Sequence, residues 1–231
     1  MKHRITTLSA SLVLLASAQT FAAPTEYDNN DRGQSISDEA FLKAAKDSFY
    51  LNNPAEFERF KDATLDICNK TIDQPNAEQT KDILAREQKA ILYPKDKKLM
   101  GDWKKGQQWA ELAHGGRIGY PGFIDADDPH HANGANCYAC HAIDPNFPQN
   151  GNMGTPLTNY GARGTSEAMV KYTYDKIFNA KSMNPCSLMP RYGGEAGSIR
   201  LLTPEQVADI VAFLLSPDSP VNKPKLAAVK N

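Results

Sequence analysis

The sequence predicts an all-α fold with large loops, and three features of the chain indicate it. Apolar residues recur at helical spacing in several segments, and capping residues precede the clearest of them. No segment carries the alternation of apolar and polar residues that a half-buried strand requires. The stretch from Ile118 to Tyr160 is rich in glycine, proline, asparagine and aspartate. A loop of that length in a compact domain needs a function or a prosthetic group to organise it.

Two helices are predicted in the first half of the chain. The first covers residues 53–70, with Asn53 as the N-cap, Pro54 at the first helical position and Glu56 at the capping-box position. The second runs from Asn76 to about residue 92. Because the apolar stripe of this second helix is thin, we expect it to lie on the surface.

Three further helices are predicted, at residues 99–116, 166–180 and 203–216. The first of these places the small residues Gly106 and Ala110 on one side, where another backbone can approach closely. The last is the best specified, because Thr203 is a favourable N-cap and Gln206 completes a capping box.

The first 22 residues predict a cleavable signal peptide. Lys2 and Arg4 precede an apolar run from Leu8 to Ala18, and small residues lead up to Ala22. A membrane anchor is the less favoured alternative, because the apolar run is too short to span ~30 Å of hydrocarbon as a helix. We therefore expect a periplasmic protein that is released from its leader and has no membrane anchor.

The charge of the chain argues against a nucleic-acid partner. The formal net charge is −1, and removal of residues 1–22 deletes two basic and no acidic side chains, which takes it to −3. Binding to a phosphate backbone requires a basic surface.

The motif Cys-x-x-Cys-His at Cys137, Cys140 and His141 is the attachment signature of c-type haem. Two thiols at this spacing can add to the two vinyl groups of one haem, and the histidine then binds the iron. A thioredoxin-like redox pair is disfavoured, because no βαβ unit surrounds the motif. A structural zinc site is disfavoured as well, because Cys68 and Cys186 are not spaced as a second ligand pair.

An iron atom held by His141 needs a sixth ligand or has an open position. Methionine raises the reduction potential and suits electron transfer. Met189, which lies between two predicted helices in a proline- and glycine-containing loop, is the preferred ligand, and Met183 is the alternative. A histidine ligand or no ligand stays open, with His114, His130 and His131 as the residual candidates.

Two cysteines remain once the haem takes the motif thiols. Cys68 and Cys186 are an even number in an oxidising compartment, and a disulfide between them is the preferred interpretation. It would brace the Met189 side of the haem. The alternative is that Cys186 is a free thiol exposed to sulfur chemistry.

Two arginines, Arg163 and Arg191, are candidates for holding the haem propionates. On any protein surface an arginine is more often merely solvated, so both interpretations stay open.

From about Asp102 to Leu215 the chain resembles a class I monohaem cytochrome c, and within that class the SoxX family of small haem subunits of SoxXA (SoxAX) complexes. The resemblance rests on the segments NCYACHAI, GNMGTPLTNYGAR, NPCSLMPRYGG and LTPEQVADIVAFL. It implies a haem domain with large loops in which the first and last helices cross. It also implies that the carbonyl of Pro156 accepts a hydrogen bond from His141.

The resemblance divides the chain into four regions: a signal peptide at 1–22, a leader and helical extension at 23–101, the haem domain at 102–216 and a flexible tail at 217–231. The expected cofactor is a single covalently bound haem c.

The resemblance further implies a heterodimer with a SoxA-like haem subunit. That partner carries the reactive cysteine, so this chain supplies no catalytic residue and is part of an enzyme only as a subunit of an L-cysteine S-thiosulfotransferase. Thiosulfate is joined to a cysteine of the SoxYZ carrier, and the electrons pass through this chain's haem to a small cytochrome.

Two other functions stay open. The chain could be a freestanding electron carrier, or the haem subunit of another periplasmic dehydrogenase. A haem sensor with an open iron position is the third hypothesis.

Overall fold

The computed structural model describes residues 37–48, 62–113, 133–147, 149–194 and 201–223. Within these ranges there are six α-helices and no strand, which confirms the all-α prediction. The helices are α1 (Asp38–Ser48), α2 (Ala63–Lys70), α3 (Ala77–Lys89), α4 (Trp103–Glu111), α5 (Glu167–Phe178) and α6 (Pro204–Leu215). Short 3₁₀ turns lie at Cys137–Ala139, Tyr160–Arg163, Ala180–Ser182 and Pro220–Asn222.

The chain forms two compact units, residues 1–41 and 42–231. Helix α1 begins in the first unit, and every feature discussed below lies in the second.

Local capping explains where the helices begin. Asn76 caps α3 and Thr203 caps α6, each in a complete capping box with the glutamine three residues later. The Ser166 side chain accepts a hydrogen bond from the backbone N–H of Met169 and so caps α5. These starts follow the sequence pattern closely, because a capping box depends on residues only three positions apart.

Helices α4 and α6 cross in close contact. A Cβ at Gly106 would overlap the backbone carbonyl of Asp209 and lie 2.9 Å from the backbone nitrogen of Ile210. The Asp209 carboxylate accepts hydrogen bonds from the Asp102 N–H (2.7 Å) and from Trp109 Nε1 (3.3 Å). Gly106 therefore allows the two helices to approach closely, and the Asp209 carboxylate joins them by hydrogen bonds.

The apolar core lies around α5 and α6. Phe178, Phe213 and Leu202 are fully buried there, and Tyr174 stacks on Phe178 with ring centroids 5.8 Å apart. The hydroxyl of Tyr174 donates to the carbonyl of Leu92 (2.7 Å), so the core also holds the chain that follows α3.

Of two predictions about the helical extension, one is wrong and one is confirmed. Helix α2 does not continue from residue 53, because Asp62 has an extended backbone and its side chain caps the helix that starts at Ala63. The predicted cap at Asn53 lies outside the described residues. Helix α3 lies on the surface, as predicted: most of its side chains are exposed, and only Ile83 and Glu87 are buried along its length.

The chain after α6 is packed as far as Asn222, contrary to the predicted flexible tail, and residues 224–231 of that tail lie outside the described residues. Val221 is fully buried, and Asn222 Nδ2 donates to the carbonyls of Leu214 (3.0 Å) and Ser216 (2.8 Å). The predicted signal peptide lies outside the described residues. Among the helices of the described ranges, none has the length and apolar character needed to cross a membrane.

Candidate haem site

The Cys-x-x-Cys-His segment forms a tight turn. Asn136 has a left-handed backbone (φ 46°), and the 3₁₀ turn Cys137–Ala139 follows it. The carbonyl of Cys137 accepts hydrogen bonds from the backbone N–H groups of Cys140 (3.2 Å) and His141 (3.0 Å). Because the turn closes on itself in this way, both thiols and the imidazole come from one short, ordered segment.

Both motif thiols are free, whereas the other two cysteines are bonded to each other. Desolvation by the surrounding core raises the pKa of the Cys137 thiol to about 12. A redox-active dithiol needs the opposite, a lowered pKa that supplies thiolate near neutral pH. The environment of Cys137 therefore argues against a thioredoxin-like pair.

The imidazole of His141 is oriented by the loop that follows it. Its Nδ1 lies 2.7 Å from the carbonyl oxygen of Thr155, so Nδ1–H donates and Nε2 keeps the lone pair that can bind a metal. The predicted acceptor was the carbonyl of Pro156, which is one residue too far along. The sequence has Thr-Pro-Leu here, and Pro156 is itself exposed.

Three backbone hydrogen bonds fold that loop onto the motif. The N–H groups of Gly151, Gly154 and Leu157 donate to the carbonyls of Tyr138, Cys140 and Ala142, each at 2.7 Å. A Cβ at Gly154 would overlap the His141 ring and lie 2.5 Å from its Nδ1. The absence of a side chain at this position therefore lets the loop lie flat against the imidazole.

The segment that carries Met189 lies beside the thiols. Tyr192 is buried, and its hydroxyl donates to the carbonyl of Ala135 (2.8 Å), two residues before Cys137. Burial, and then the charges of Cys137 and Cys140, raise the pKa of Tyr192. Met189 and Cys137 are both partly buried against the same apolar core. This placement is compatible with Met189 as a second axial ligand.

The other candidate ligands differ in position. Met183 is half-buried at the end of the 3₁₀ turn Ala180–Ser182. Met153 is 72% exposed, and Met169 packs against the core from α5. The candidate histidines His114, His130 and His131 lie outside the described residues.

The two candidate propionate arginines have protein partners. Arg191 forms ion pairs with Asp62 and Glu87, and its role toward a propionate stays a prediction. Arg163 is exposed, and its guanidinium lies over the ring of Tyr160, 4.7 Å from the centroid. Its proposed place in the haem surroundings stays a prediction.

Cys68 and Cys186 form a disulfide across 118 residues of sequence. Among the described residues, these two cysteines and Asp73 also bring three potential metal-ligand atoms close together. Since the two sulfur atoms are bonded to each other, no thiolate is left there, and the cluster is not a zinc site.

The residues at this site fit a covalently bound haem. Cys137 and Cys140 supply two unbonded thiols at the required spacing, and His141 presents Nε2 with its other nitrogen already bonded. An apolar core adjoins the segment and would exclude water from a porphyrin.

The substitution Gly154→Ala tests how the imidazole is held. We expect it to displace the His141 ring, to lower stability by about 1–3 kcal/mol through overpacking, and to shift the visible absorption spectrum and the reduction potential of the haem protein. Met153→Ala, at the exposed neighbouring position, is the control. Equal spectra and potentials for the two variants would contradict this account of the loop.

Sequence reasoning missed three parts of the site. Thr155 and Gly154 act on the imidazole through backbone geometry, and Tyr192 reaches the motif from more than fifty residues away. Only the glycines in GNMGT gave a signal, since repeated glycines indicate close backbone approach.

Residues 130–217 match the protein-family model described as Cytochrome c. The match covers 88 of the 231 residues, and it agrees with the all-α fold that the sequence predicted and the described helices show. A cytochrome c domain implies covalently bound haem c.

Two individual proteins are similar to the chain. An "Uncharacterized lipoprotein" of Aquifex aeolicus (strain VF5) is 42% identical over 139 residues, which are 60% of this chain and 61% of that protein. A chain in the crystal structure of SoxXA from P. pantotrophus aligns with 21% identity over 51% of this chain and 82% of that chain, with a TM-score of 0.34. A TM-score of 0.34 is too low to support a statement about function.

Proposed function

We propose that this chain is a periplasmic monohaem c-type cytochrome that serves as the electron-accepting subunit of a SoxAX-type complex. The observation that carries the electron-transfer part is the joint presence of two free thiols and an oriented imidazole in a cytochrome c domain. The segments NPCSLMPRYGG and LTPEQVADIVAFL support the more specific role, because they resemble the SoxX family.

The protein residues have distinct roles in holding the haem, which when bound supplies reversible one-electron chemistry. Cys137 and Cys140 would form the two thioether bonds that hold the haem. His141 would bind the iron through Nε2, and the Thr155 carbonyl fixes the tautomer and orientation of its ring. Gly154 keeps the face of the ring clear for the loop to close against it.

Met189 is the proposed second axial ligand. A thioether ligand raises the reduction potential and suits an electron acceptor. Tyr192, three residues later, anchors this segment to the backbone next to Cys137.

In the proposed complex, the chemistry at sulfur takes place on other chains. A thiol of the SoxYZ carrier and one thiosulfate ion form a sulfur–sulfur bond, and the thiol proton and two electrons are released. A SoxA-like subunit with a reactive cysteine performs this step. The present chain accepts the electrons singly and passes them to a small cytochrome.

The proposed location is the periplasm, after removal of residues 1–22. The Cys68–Cys186 disulfide supports an oxidising compartment. The Aquifex relative is named a lipoprotein, which raises the alternative of a lipid anchor. Residues 1–67 contain no cysteine, so this part of the chain offers no thiol for lipid attachment.

The substitution Met189→Ala tests the proposed ligand. We expect covalent haem to be retained and the reduction potential to fall, within the span of about 0.8 V that axial ligands set in haem proteins. Met183→Ala is the matched control and should leave the potential near the wild-type value. If only Met183→Ala lowered the potential, the ligand would be Met183.

Affinity purification of the tagged mature chain tests the proposed complex. After export in a sulfur-oxidising host, we expect a second haem-bearing subunit to co-purify in equal amount and the mixture to reduce this chain's haem when thiosulfate and the carrier are added. A lone monomer that thiosulfate does not reduce would favour a freestanding electron carrier. Binding of carbon monoxide to the reduced native protein would favour the open-site sensor.

A further inference from the structure

Helix α2 holds the chain on both sides of Met189. Cys186, three residues before Met189, is joined by the disulfide to Cys68 of α2. Arg191, two residues after Met189, forms an ion pair with Asp62, the N-cap of the same helix. One short helix therefore fixes the segment that carries the proposed ligand at two points.

A second carboxylate, that of Glu87 on α3, also binds Arg191. The Arg191 Nε donates to Oε2 of Glu87 (2.7 Å), and Nη2 donates to Oε1 (2.5 Å), which is a bidentate arrangement. The Glu87 side chain is 5% exposed and that of Arg191 is 25% exposed. Because this pair is largely shielded from water, it is screened far less than a surface pair.

The carboxylate oxygens of Glu87 accept two further hydrogen bonds. Thr64 Oγ1 donates to Oε1, and Asn179 Nδ2 donates to Oε2 (2.8 Å). Burial alone would raise the pKa of Glu87, but the hydrogen bonds from Arg191, Thr64 and Asn179 outweigh it and hold the pKa below its ordinary value. Glu87 is therefore ionised at neutral pH. Asp62, Glu87 and Arg191 form a charged network in which both carboxylate oxygens of Glu87 accept hydrogen bonds.

The segment around Met189 has few bonds of its own. The N–H of Met189 donates to Ser187 Oγ (3.3 Å), and Lys181 Nζ donates to the carbonyl of Ser187 (2.5 Å). Leu188 is 84% exposed and adds no packing. Cys186 and Arg191 therefore hold the backbone nearest to Met189, and the buried Tyr192 holds it three residues later.

We propose that Arg191 is a positioning residue for the axial ligand Met189, and that Asp62 and Glu87 of the N-terminal extension act on the iron through it. The inference rests on the proposed function, because it takes Met189 as the ligand. Asp62 and Glu87 precede residue 130, where the family match begins, so the extension would tune a haem domain of which it is not a part.

The physical reason is competition for the sixth position of the iron. A thioether is a neutral ligand that other molecules can replace when its backbone is free to move. Neutralising one carboxylate or the guanidinium leaves the partner charge buried and loosens the segment. Exogenous ligands would then compete better, and the potential would move toward that of a protein without the sulfur ligand.

The experiment uses the full mature holoprotein with the variants Arg191→Gln, Arg191→Lys and Glu87→Gln. Asp175→Asn is the matched control, because Asp175 is also a buried carboxylate paired with a cation, on α5, where Lys171 and Tyr93 bind it. Three quantities are measured on folded protein: the affinity of the ferric form for imidazole, the weak long-wavelength absorption of a methionine–iron bond, and the reduction potential.

We expect Arg191→Gln to bind imidazole roughly 5- to 150-fold more tightly than the wild type, as is typical of coupling between two sites. The methionine–iron absorption should weaken, and the potential should fall. Arg191→Lys should be intermediate, because an ammonium keeps the charge but cannot bind both carboxylates as a fork. Glu87→Gln should shift in the same direction, and Asp175→Asn should match the wild type.

The proposal is overturned if Arg191→Gln and Glu87→Gln melt earlier but keep the wild-type imidazole affinity and potential. In that case the network is merely structural. If Arg191→Gln does not mature, Arg191→Lys and Glu87→Gln give the same comparison.

Failure of the underlying assignment has a different signature. If the wild type and Met189→Ala had the same absorption and potential, Met189 would not be the ligand, and the proposal would fall with it. If Met189→Ala differed while the network variants did not, only the positioning role would be lost.

Discussion

Replacing both Cys137 and Cys140 by alanine will abolish covalent haem attachment. The two thiols are the attachment points that a c-type haem requires, and the other two cysteines of the chain are bonded to each other. The described residues from 133 to 157 contain no regular element longer than a 3₁₀ turn. We therefore expect the apoprotein to lose most of its cooperative thermal unfolding as well.

Haem staining after denaturing electrophoresis and circular dichroism at increasing temperature measure the two effects. Tyr138→Phe is the control, since it lies between the two cysteines and leaves the motif intact. Its buried hydroxyl has no hydrogen-bond partner among the described residues, so its removal should cost little stability. Normal haem staining of the double alanine variant would contradict the assignment of the thiols.

Replacing Cys68 and Cys186 together by serine will lower the free energy of unfolding by about 4–5 kcal/mol. In the chain-entropy model, a crosslink across 118 residues restricts the unfolded state by roughly this amount. For a domain of this size, the melting temperature should fall by roughly 8–20 °C.

Denaturant unfolding of the haem-loaded protein measures this loss. Asn69→Ser is the matched control, because it changes an exposed neighbour of Cys68 on the same helix and leaves the disulfide intact. A loss of less than about 1 kcal/mol for the double serine variant would show that the crosslink contributes little to the folded state.

The parts of the fold that sequence reasoning predicted well depend on neighbouring residues. Helices α3 and α6 start where Asn76 and Thr203 form capping boxes, and α4 contacts α6 through the predicted small residue Gly106. These signals lie within a few positions of one another. The break at Asp62 was missed, because aspartate inside an apolar-periodic segment can equally be a solvated helical residue.

The parts that could not be predicted depend on contacts between distant segments. The pairing of Arg191 with Glu87 spans 104 residues, and no periodicity or motif encodes it. The packed segment around Val221 is short and polar in sequence and is ordered only by its contacts. The predicted acceptor of the His141 hydrogen bond is the Pro156 carbonyl, whereas the observed acceptor is the Thr155 carbonyl. The sequence motif is the same in both cases, so it cannot identify which of the two residues accepts the bond.

Some parts of the site could be predicted from the sequence more fully than others. The motif at Cys137, Cys140 and His141 is self-contained, and the structure places all three residues in one turn. The role of Met189 depends on the path of a loop, and it therefore remains a proposal that the potential of Met189→Ala tests.

The central claim is that one haem is bonded to Cys137 and Cys140 with His141 on its iron. The most direct measurement is the intact mass of the purified mature protein, made in a host competent for cytochrome c maturation, together with its alkaline pyridine spectrum. We expect a mass higher than that of the polypeptide by one haem, with both added bonds mapped to the peptide that contains Cys137 and Cys140. A colourless protein with the mass of the bare polypeptide would contradict the account.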